Sequence, residues 1–227
     1  MISVRALMAE GGLPAVFDAV GCRRVLESPS LSGCVTFEEA WLSLGRPGVM
    51  IDIADAAGVD SGTLAEACLV NVIRVCDFAC YRPQMAADMF DAVRAALRSP
   101  DDFSLQAVLG ATVGTMIRVT RPKRGGDSTW MASIDMAVHI LGKAVSSAMC
   151  TCPVSHRKQT LREIRECLSM VVLARMECAV DRKQLPAGSV PLDWSSGWAA
   201  NAVREVIPVE MVLAHRLAAH KGARAQA

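Results

Sequence analysis

Aromatic residues are scarce in this chain of 227 residues, at 4% of the total with a single tyrosine, whereas hydrophobic residues as a whole reach 52%. A β-sandwich normally draws on aromatic and Thr-rich strands, so this composition favours close-packed helices. No alternating run of β-branched residues competes with the helical periodicity. We therefore predict an all-α protein, a multi-helix bundle of two packed helical subdomains.

Long hydrophobic runs are also missing. The longest uncharged stretch near the middle, residues 103–117, is 15 residues long, short of the roughly 20 that span a bilayer. The first ten residues, MISVRALMAE, lack the apolar run of a signal peptide. The nine cysteines are an odd number in a chain too long for a small secreted scaffold. We expect reduced, mostly buried thiols, no transmembrane helix and no secretion.

Catalytic and cofactor motifs are lacking too. The pair Gly11-Gly12 is not followed by the Lys-Ser/Thr of a phosphate-binding loop. No acid, base and nucleophile can be grouped around a common pocket from the sequence. We therefore expect no enzyme activity, no cofactor and no small-molecule substrate.

Lysine is absent from the first half of the chain, and this absence reveals a division of charge. Residues 1–117 carry eight Arg and no Lys against 14 acidic residues, a formal charge of −6. Residues 118–227 carry 16 basic and nine acidic residues, a formal charge of +7. Such halves can attract each other between neighbouring copies, and the basic half can meet phosphate groups of lipid or nucleic acid.

Capping signals divide the chain into helices. We predict capping boxes that start helices at Thr36–Glu39, Thr63–Glu66 and Thr160–Glu163. Further helices are expected at residues 83–98, from Asp101 or Asp102 to 117, at 130–149, 198–206 and 209–220, with a loop at 184–197. A hinge at residues 152–159 divides the chain into an N-terminal domain, 1–152, and a C-terminal domain, 153–227.

Two clusters of basic residues are the candidate binding sites. The first lies in the predicted loop after residue 117 and consists of Arg118, Arg121, Lys123 and Arg124. It could bind anionic lipid, bind nucleic acid, act as a nuclear-localisation patch, or be a solvated turn without a role. The second is Arg157, Lys158, Arg162 and Arg165, of which positions 158, 162 and 165 share one helix face. Its alternative is an ordinary solvated face, diluted by Glu163 and Glu166.

Cysteine and histidine offer only a weak metal pattern. Cys150 and Cys152 are separated by one residue and are followed by His156. A structural zinc site needs four ligands, and its cysteine pairs are normally separated by two or more residues. We expect no metal there. Cys68, Cys76 and Cys80 are expected to line the core, and His139 to be a core histidine with its hydrogen bonds satisfied.

The order of landmarks resembles the matrix proteins of the orthomyxoviruses, the influenza-type viruses. Trp41 is followed by Arg46-Pro47, the apolar stretch 108–117 leads into the basic turn 118–124, and a long helix leads to the paired cysteines and Ser155-His156-Arg157. In that family, two residues separate the cysteines and two histidines follow, so the resemblance does not carry zinc to this chain.

The resemblance implies an all-helical protein that forms a homo-oligomer or polymer, lines the inner face of the envelope, and contacts anionic lipid and the viral ribonucleoprotein or RNA. It implies a place in the virion and, in the host cell, in the cytoplasm, at the plasma membrane and in the nucleus. The alternatives from the residues are an RNA-binding viral nucleoprotein, for which stacking aromatics are few, and an intracellular helical adaptor.

Overall fold

The computed structural model describes residues 34, 36–81, 86–119, 129–149, 155–182, 184 and 192–214. The elements in these residues are helices packed against one another, which confirms the all-α fold class. In chain order they are α1 (Phe37–Ser43), α2 (Pro47–Ala57), α3 (Ser61–Phe78), α4 (Ala86–Arg98), α5 (Phe103–Val119), α6 (Thr129–Met149), α7 (Ser155–Asp181) and α8 (Leu192–Val206). Residues 209–214 are also helical.

Two helices begin where the capping residues in the sequence predicted them to begin. The Thr36 hydroxyl accepts from the Glu39 backbone N–H at 3.1 Å, and the Glu39 carboxylate accepts from the Thr36 N–H at 3.0 Å, so the first capping box is confirmed. At the start of α5, the Asp102 carboxylate accepts from the backbone N–H groups of Ser104 and Leu105 at 3.0 and 3.2 Å. Both contacts satisfy N–H groups that have no partner inside the helix.

The other two capping boxes were wrong. Asp60, not Thr63, caps α3, because its carboxylate accepts from the Thr63 backbone N–H at 2.9 Å and from the Thr63 hydroxyl at 2.7 Å. Thr160 lies inside α7, where its hydroxyl donates to the His156 carbonyl at 2.9 Å. At α3, the Asp60 carboxylate is a stronger acceptor than the Thr63 hydroxyl and occupies the cap position. At α7, the helix begins at Ser155, so Thr160 is an interior residue.

Two further elements differ from the prediction. Helix α2 was not predicted: Pro47 is its first residue, and Gly58, with φ +97°, ends it. The predicted loop at 184–197 was wrong over 192–197, which form the start of α8. Ser195 and Ala199 are fully buried there, so tertiary packing overrides a loop-like composition.

The antiparallel pair α6 and α7 forms the centre of the bundle. Trp130 donates to the Asp181 carboxylate at 2.9 Å at one end, and Ser147 donates to the Glu163 carboxylate at 2.8 Å at the other. Helix α3 packs against both helices, α5 packs against α6, and α2 and α8 pack against α7. The buried side chains on both sides of residue 152 belong to one hydrophobic core. The division at residue 152 stays a prediction, although it does not separate two cores in the described residues.

A buried arginine joins three of these helices. The Arg175 guanidinium lies 5.0 Å from the centre of the Phe78 ring on α3 and 4.4 Å from the Trp198 ring on α8. Desolvation lowers the pKa of Arg175 to about 10. The two aromatic faces offset part of that desolvation by cation–π attraction.

Candidate anion-binding surface

The first basic cluster begins at the exposed end of α5. Arg118 is exposed in the last turn of the helix, and its Nε donates to the Gly114 carbonyl at 3.1 Å. A cation at this end complements the negative pole of the helix dipole. Arg121, Lys123 and Arg124 lie outside the described residues, so their predicted role as an anion-facing patch stays a prediction.

The structure divides the second basic cluster between two uses. Arg157 donates to the Asp55 carboxylate at 2.6 Å, and Arg165 lies 3.4 Å from the Asp52 carboxylate. Both pairs join α7 to α2. Lys158 and Arg162 are exposed on α7. Only these two members of the cluster are therefore placed as surface cations without an ion pair to α2.

Arg162 borders an open cleft of about 330 Å³ between α6 and α7. The cleft is lined by Met136, His139, Ile140 and Lys143 from α6 and by Arg162, Glu163 and Glu166 from α7. Lys143 and Arg162 are both exposed and come from facing helices. The cleft therefore has one cation on each wall.

His139 connects this cleft with the end of α5. One of its ring nitrogens, Nδ1, lies 3.0 Å from the carbonyl oxygen of Ile117, the residue before Arg118. The expected hydrogen-bond partner is present, but the expectation of a core histidine was wrong, because His139 is half-buried and lines the cleft. We call the exposed cations Arg118 on α5, Lys143 on α6, and Lys158 and Arg162 on α7 the cationic rim.

The carboxylates of the cleft weaken this rim only in part. Glu163 is 6% exposed and accepts from the Ser147 hydroxyl at 2.8 Å and from the Gln159 amide at 3.0 Å. Its charge is therefore directed into the α6–α7 contact. Glu166 is exposed and remains as a surface carboxylate in the cleft. The cleft itself therefore presents two exposed cations, Lys143 and Arg162, and one exposed carboxylate, Glu166.

Other cations of the second half of the chain are used inside the molecule. Arg182 donates to the Phe78 carbonyl at 3.1 Å and to the Ala79 carbonyl at the end of α3. Arg204 donates to the Trp41 carbonyl at 3.1 Å and to the Leu44 carbonyl at 2.6 Å at the end of α1. Together with Arg157 and Arg165, they direct basic side chains to acceptors in the acidic half. Arg157 and Arg165 therefore pair with carboxylates of the acidic half within one copy, whereas Arg182 and Arg204 donate to uncharged carbonyl groups and keep their net charge.

Sequence reasoning did not select Lys143, because it is isolated from other cations in the sequence. The signal that could have found it is its position one helical turn after His139 on a helix expected to follow the basic loop. Its proximity to Arg162 depends on the antiparallel packing of α6 and α7, which no local pattern contains.

The candidate metal residues are not assembled in the described structure. Cys150 and Cys152 lie outside the described residues, and His156 is half-buried in the first turn of α7. No group of three or more potential metal ligands occurs among the residues that the structure describes.

The described cysteines are mostly buried and form no disulfide with one another. Cys68, Cys76, Cys167 and Cys178 are buried thiols, as expected. Burial raises the pKa of the Cys167 thiol, which donates to the Ala137 carbonyl at 3.2 Å. The expectation that Cys80 lines the core was wrong: it is exposed after the end of α3, with φ 47°. The chain turns there and directs the residue outward.

Within the described ranges, the helices are too short or too polar to cross a bilayer. The chain matches no known protein family, no curated protein and no solved structure. The interpretation of the candidate site therefore rests only on the positions and charges of its own residues.

Proposed function

We propose that the protein is a viral matrix protein, a helical building block that assembles into a layer and holds this layer against an anionic membrane. The observation that carries the proposal is the cationic rim, the exposed cations Arg118, Lys143, Lys158 and Arg162 of α5, α6 and α7, two of which line the α6–α7 cleft. The resemblance in the order of landmarks to orthomyxovirus matrix proteins supports the same role. In this role the protein lies on the inner face of the envelope and contacts the ribonucleoprotein.

The rim is suited to weak binding that becomes strong in a layer. A basic residue near an anionic membrane contributes about 1 kcal/mol, so four contribute about 4 kcal/mol in total. That free energy corresponds to an enrichment of roughly a thousandfold at the surface. Copies that are joined in an array bind the membrane through several rims at once, so the affinity of the array exceeds that of a single copy. The basic segment after Arg118 adds three cations in the sequence, Arg121, Lys123 and Arg124.

Flotation with liposomes tests the membrane role. We expect the protein to float with vesicles that contain phosphatidylserine and not with phosphatidylcholine alone. Binding should fall between 0.1 and 1 M salt, because the Debye length shortens from about 10 Å to about 3 Å. Salt-insensitive binding, or equal binding to both vesicles, would contradict a cationic docking surface.

A matched pair of variants locates the docking surface. Arg162→Glu reverses an exposed charge of the rim, and Arg46→Glu reverses an exposed charge before α2. We expect Arg162→Glu to lower the partition constant about fivefold or more, since even 1 kcal/mol corresponds to that factor. Arg46→Glu should change it little. Equal losses in both variants would show that net charge alone acts.

The basic segment is tested in the same assay. Reversing Arg121, Lys123 and Arg124 together to Glu should abolish flotation while circular dichroism keeps its helical signal. Competition with RNA separates the membrane role from the nucleoprotein alternative: RNA that removes the protein from the vesicles at low salt would favour the nucleoprotein.

A further inference from the structure

Helix α5 has one largely exposed face in the described structure, and this face carries no charge before Arg118. Phe103 is 89% exposed and Val108 50% exposed. The opposite face is buried through Leu109, Val113 and Met116. The outward face is formed by Phe103, Ala107, Val108, Gly110, Ala111 and Gly114, and it ends at Arg118. A large aromatic side chain left almost fully in water on an uncharged helix face indicates a contact with another surface.

Two glycines on this face point to close approach from outside. A Cβ atom built at Gly110 or at Gly114 would meet no atom within 4 Å. Packing inside the molecule therefore does not require glycine at either position, although glycine weakens a helix relative to alanine. Gly142 on α6 differs, because a Cβ there would lie 3.0 Å from the Ile117 side chain.

The ends of the same face have opposite charges. Asp101 and Asp102 are exposed at the start of α5, and Arg118 is exposed at its end. The helix has 17 residues, so the two ends are about 25 Å apart. A surface with a negative end, an apolar middle and a positive end is complementary to its own copy in the antiparallel orientation.

We propose that α5 forms a twofold contact with α5 of a second copy of this chain. The two helices run antiparallel and cross between Gly110 and Ala111. This register places Phe103 opposite Arg118 of the second copy, and Ala107 opposite its Gly114. The Arg118 guanidinium then meets the Phe103 ring and the carboxylates of Asp101 and Asp102 just before it, while the glycines bring the two backbones close together.

This inference rests on the proposed function, because a layer needs contacts between copies, and it names one of them. A twofold contact closes on itself, so a layer needs at least one further contact on another surface. Arg118 lies where the α5 face meets the cationic rim, so the dimer would bring two rims into one assembly.

Sedimentation velocity of the full chain without lipid tests the contact. We expect a concentration-dependent dimer that Ala111→Arg weakens at least tenfold, because the two new charges meet at the centre of the contact. Ala95→Arg is the control, since Ala95 is also exposed but lies on α4. Circular dichroism of both variants should match the wild type. A wild-type protein that stays monomeric, including one whose own N-terminal segment covers α5, would overturn the proposal.

A charge exchange provides a second, independent test. Asp101→Arg and Arg118→Asp should each raise the dissociation constant of the dimer, and the double variant should bring it back towards the wild-type value. Two losses that simply add would overturn the antiparallel register. An absent dimer together with normal flotation would overturn the twofold contact and leave the membrane role standing. A normal dimer without flotation would overturn the membrane role alone.

Discussion

At the scale of single residues, Arg175 shows how a buried charge can organise packing. Its guanidinium has an aromatic ring from α3 and another from α8 as neighbours, at 5.0 and 4.4 Å. Burial at 7% exposure carries a desolvation penalty, which the lowered pKa of about 10 reports. The sequence contains no sign of this arrangement, because Phe78 and Trp198 lie far from Arg175 in the chain. Local signals such as the Thr36–Glu39 box could be predicted, since both partners lie within one turn.

The half-buried Asp135 gives the protein a pH-dependent stability. Its carboxylate accepts from the Tyr81 hydroxyl at 3.3 Å, and desolvation raises its pKa above the ordinary value of 3.8. An acid with a raised pKa in the folded state stabilises the fold while it is protonated. This stabilisation is lost as the pH rises from the unfolded-state pKa through the folded-state value.

Asp135→Asn cannot ionise and still accepts from Tyr81. We therefore expect the free energy of unfolding of Asp135→Asn, relative to the wild type, to be higher at pH 7 than at pH 4. Urea denaturation at both pH values measures this difference, with Asp91→Asn, an exposed change on α4, as the control. The same relative stability at both pH values would contradict a raised pKa for Asp135.

At the scale of helices, the close approach of α5 to α6 depends on one glycine. A Cβ at Gly142 would lie 3.0 Å from the Ile117 side chain and 3.4 Å from Met116 Cβ. The existence of both helices could be predicted from periodicity and caps, and α5 begins at the expected aspartate. Their mutual packing could not be predicted, because the role of Gly142 appears only once Ile117 is placed against it. Helix α2 was missed although both of its ends carry boundary signals, Pro47 at its first position and Gly58 directly after its last residue.

Two glycine variants separate packing from helix propensity. Gly142→Leu should lower the free energy of unfolding by about 1–3 kcal/mol, because the added side chain forces α5 and α6 apart. Gly114→Ala, where the space is open, should raise it by up to about 1 kcal/mol. Urea denaturation at low protein concentration measures both changes in the monomer. A Gly142→Leu protein as stable as the wild type would contradict tight packing at this crossing.

At the scale of the whole molecule, charge and core both join the two halves of the chain. The core includes residues from α1 through α8, and basic side chains of the second half reach acceptors of the first. The sequence correctly indicated a helical bundle with buried thiols. It did not indicate that complementary charges would meet inside one copy, because pairing depends on the order in which the helices pack. The rim was predicted in part through Arg118, Lys158 and Arg162, and Lys143 became visible only in three dimensions.

Truncation tests whether the halves can fold separately. A chain of residues 1–152 lacks α7 and α8, so the α6 residues that contact α7 in the intact protein, among them Trp130 and Ser133, would lose these partners. We expect this fragment to show no cooperative thermal transition by circular dichroism. A chain of residues 1–214, which keeps every described residue, is the control and should unfold cooperatively. A sharp transition in the fragment would establish residue 152 as the border of an independent domain.

The arginines that donate to the carbonyl groups at the ends of α1 and α3 lie much later in the chain than these two helices. The carbonyls of Trp41 and Leu44 receive their donor from Arg204, 163 and 160 residues later, and that of Phe78 from Arg182, 104 residues later. During translation, these carbonyl oxygens therefore cannot obtain their arginine donors until residues 182 and 204 have been synthesised. The ends of α1 and α3 reach their final hydrogen bonding only after α7, and for α1 also α8, has been made.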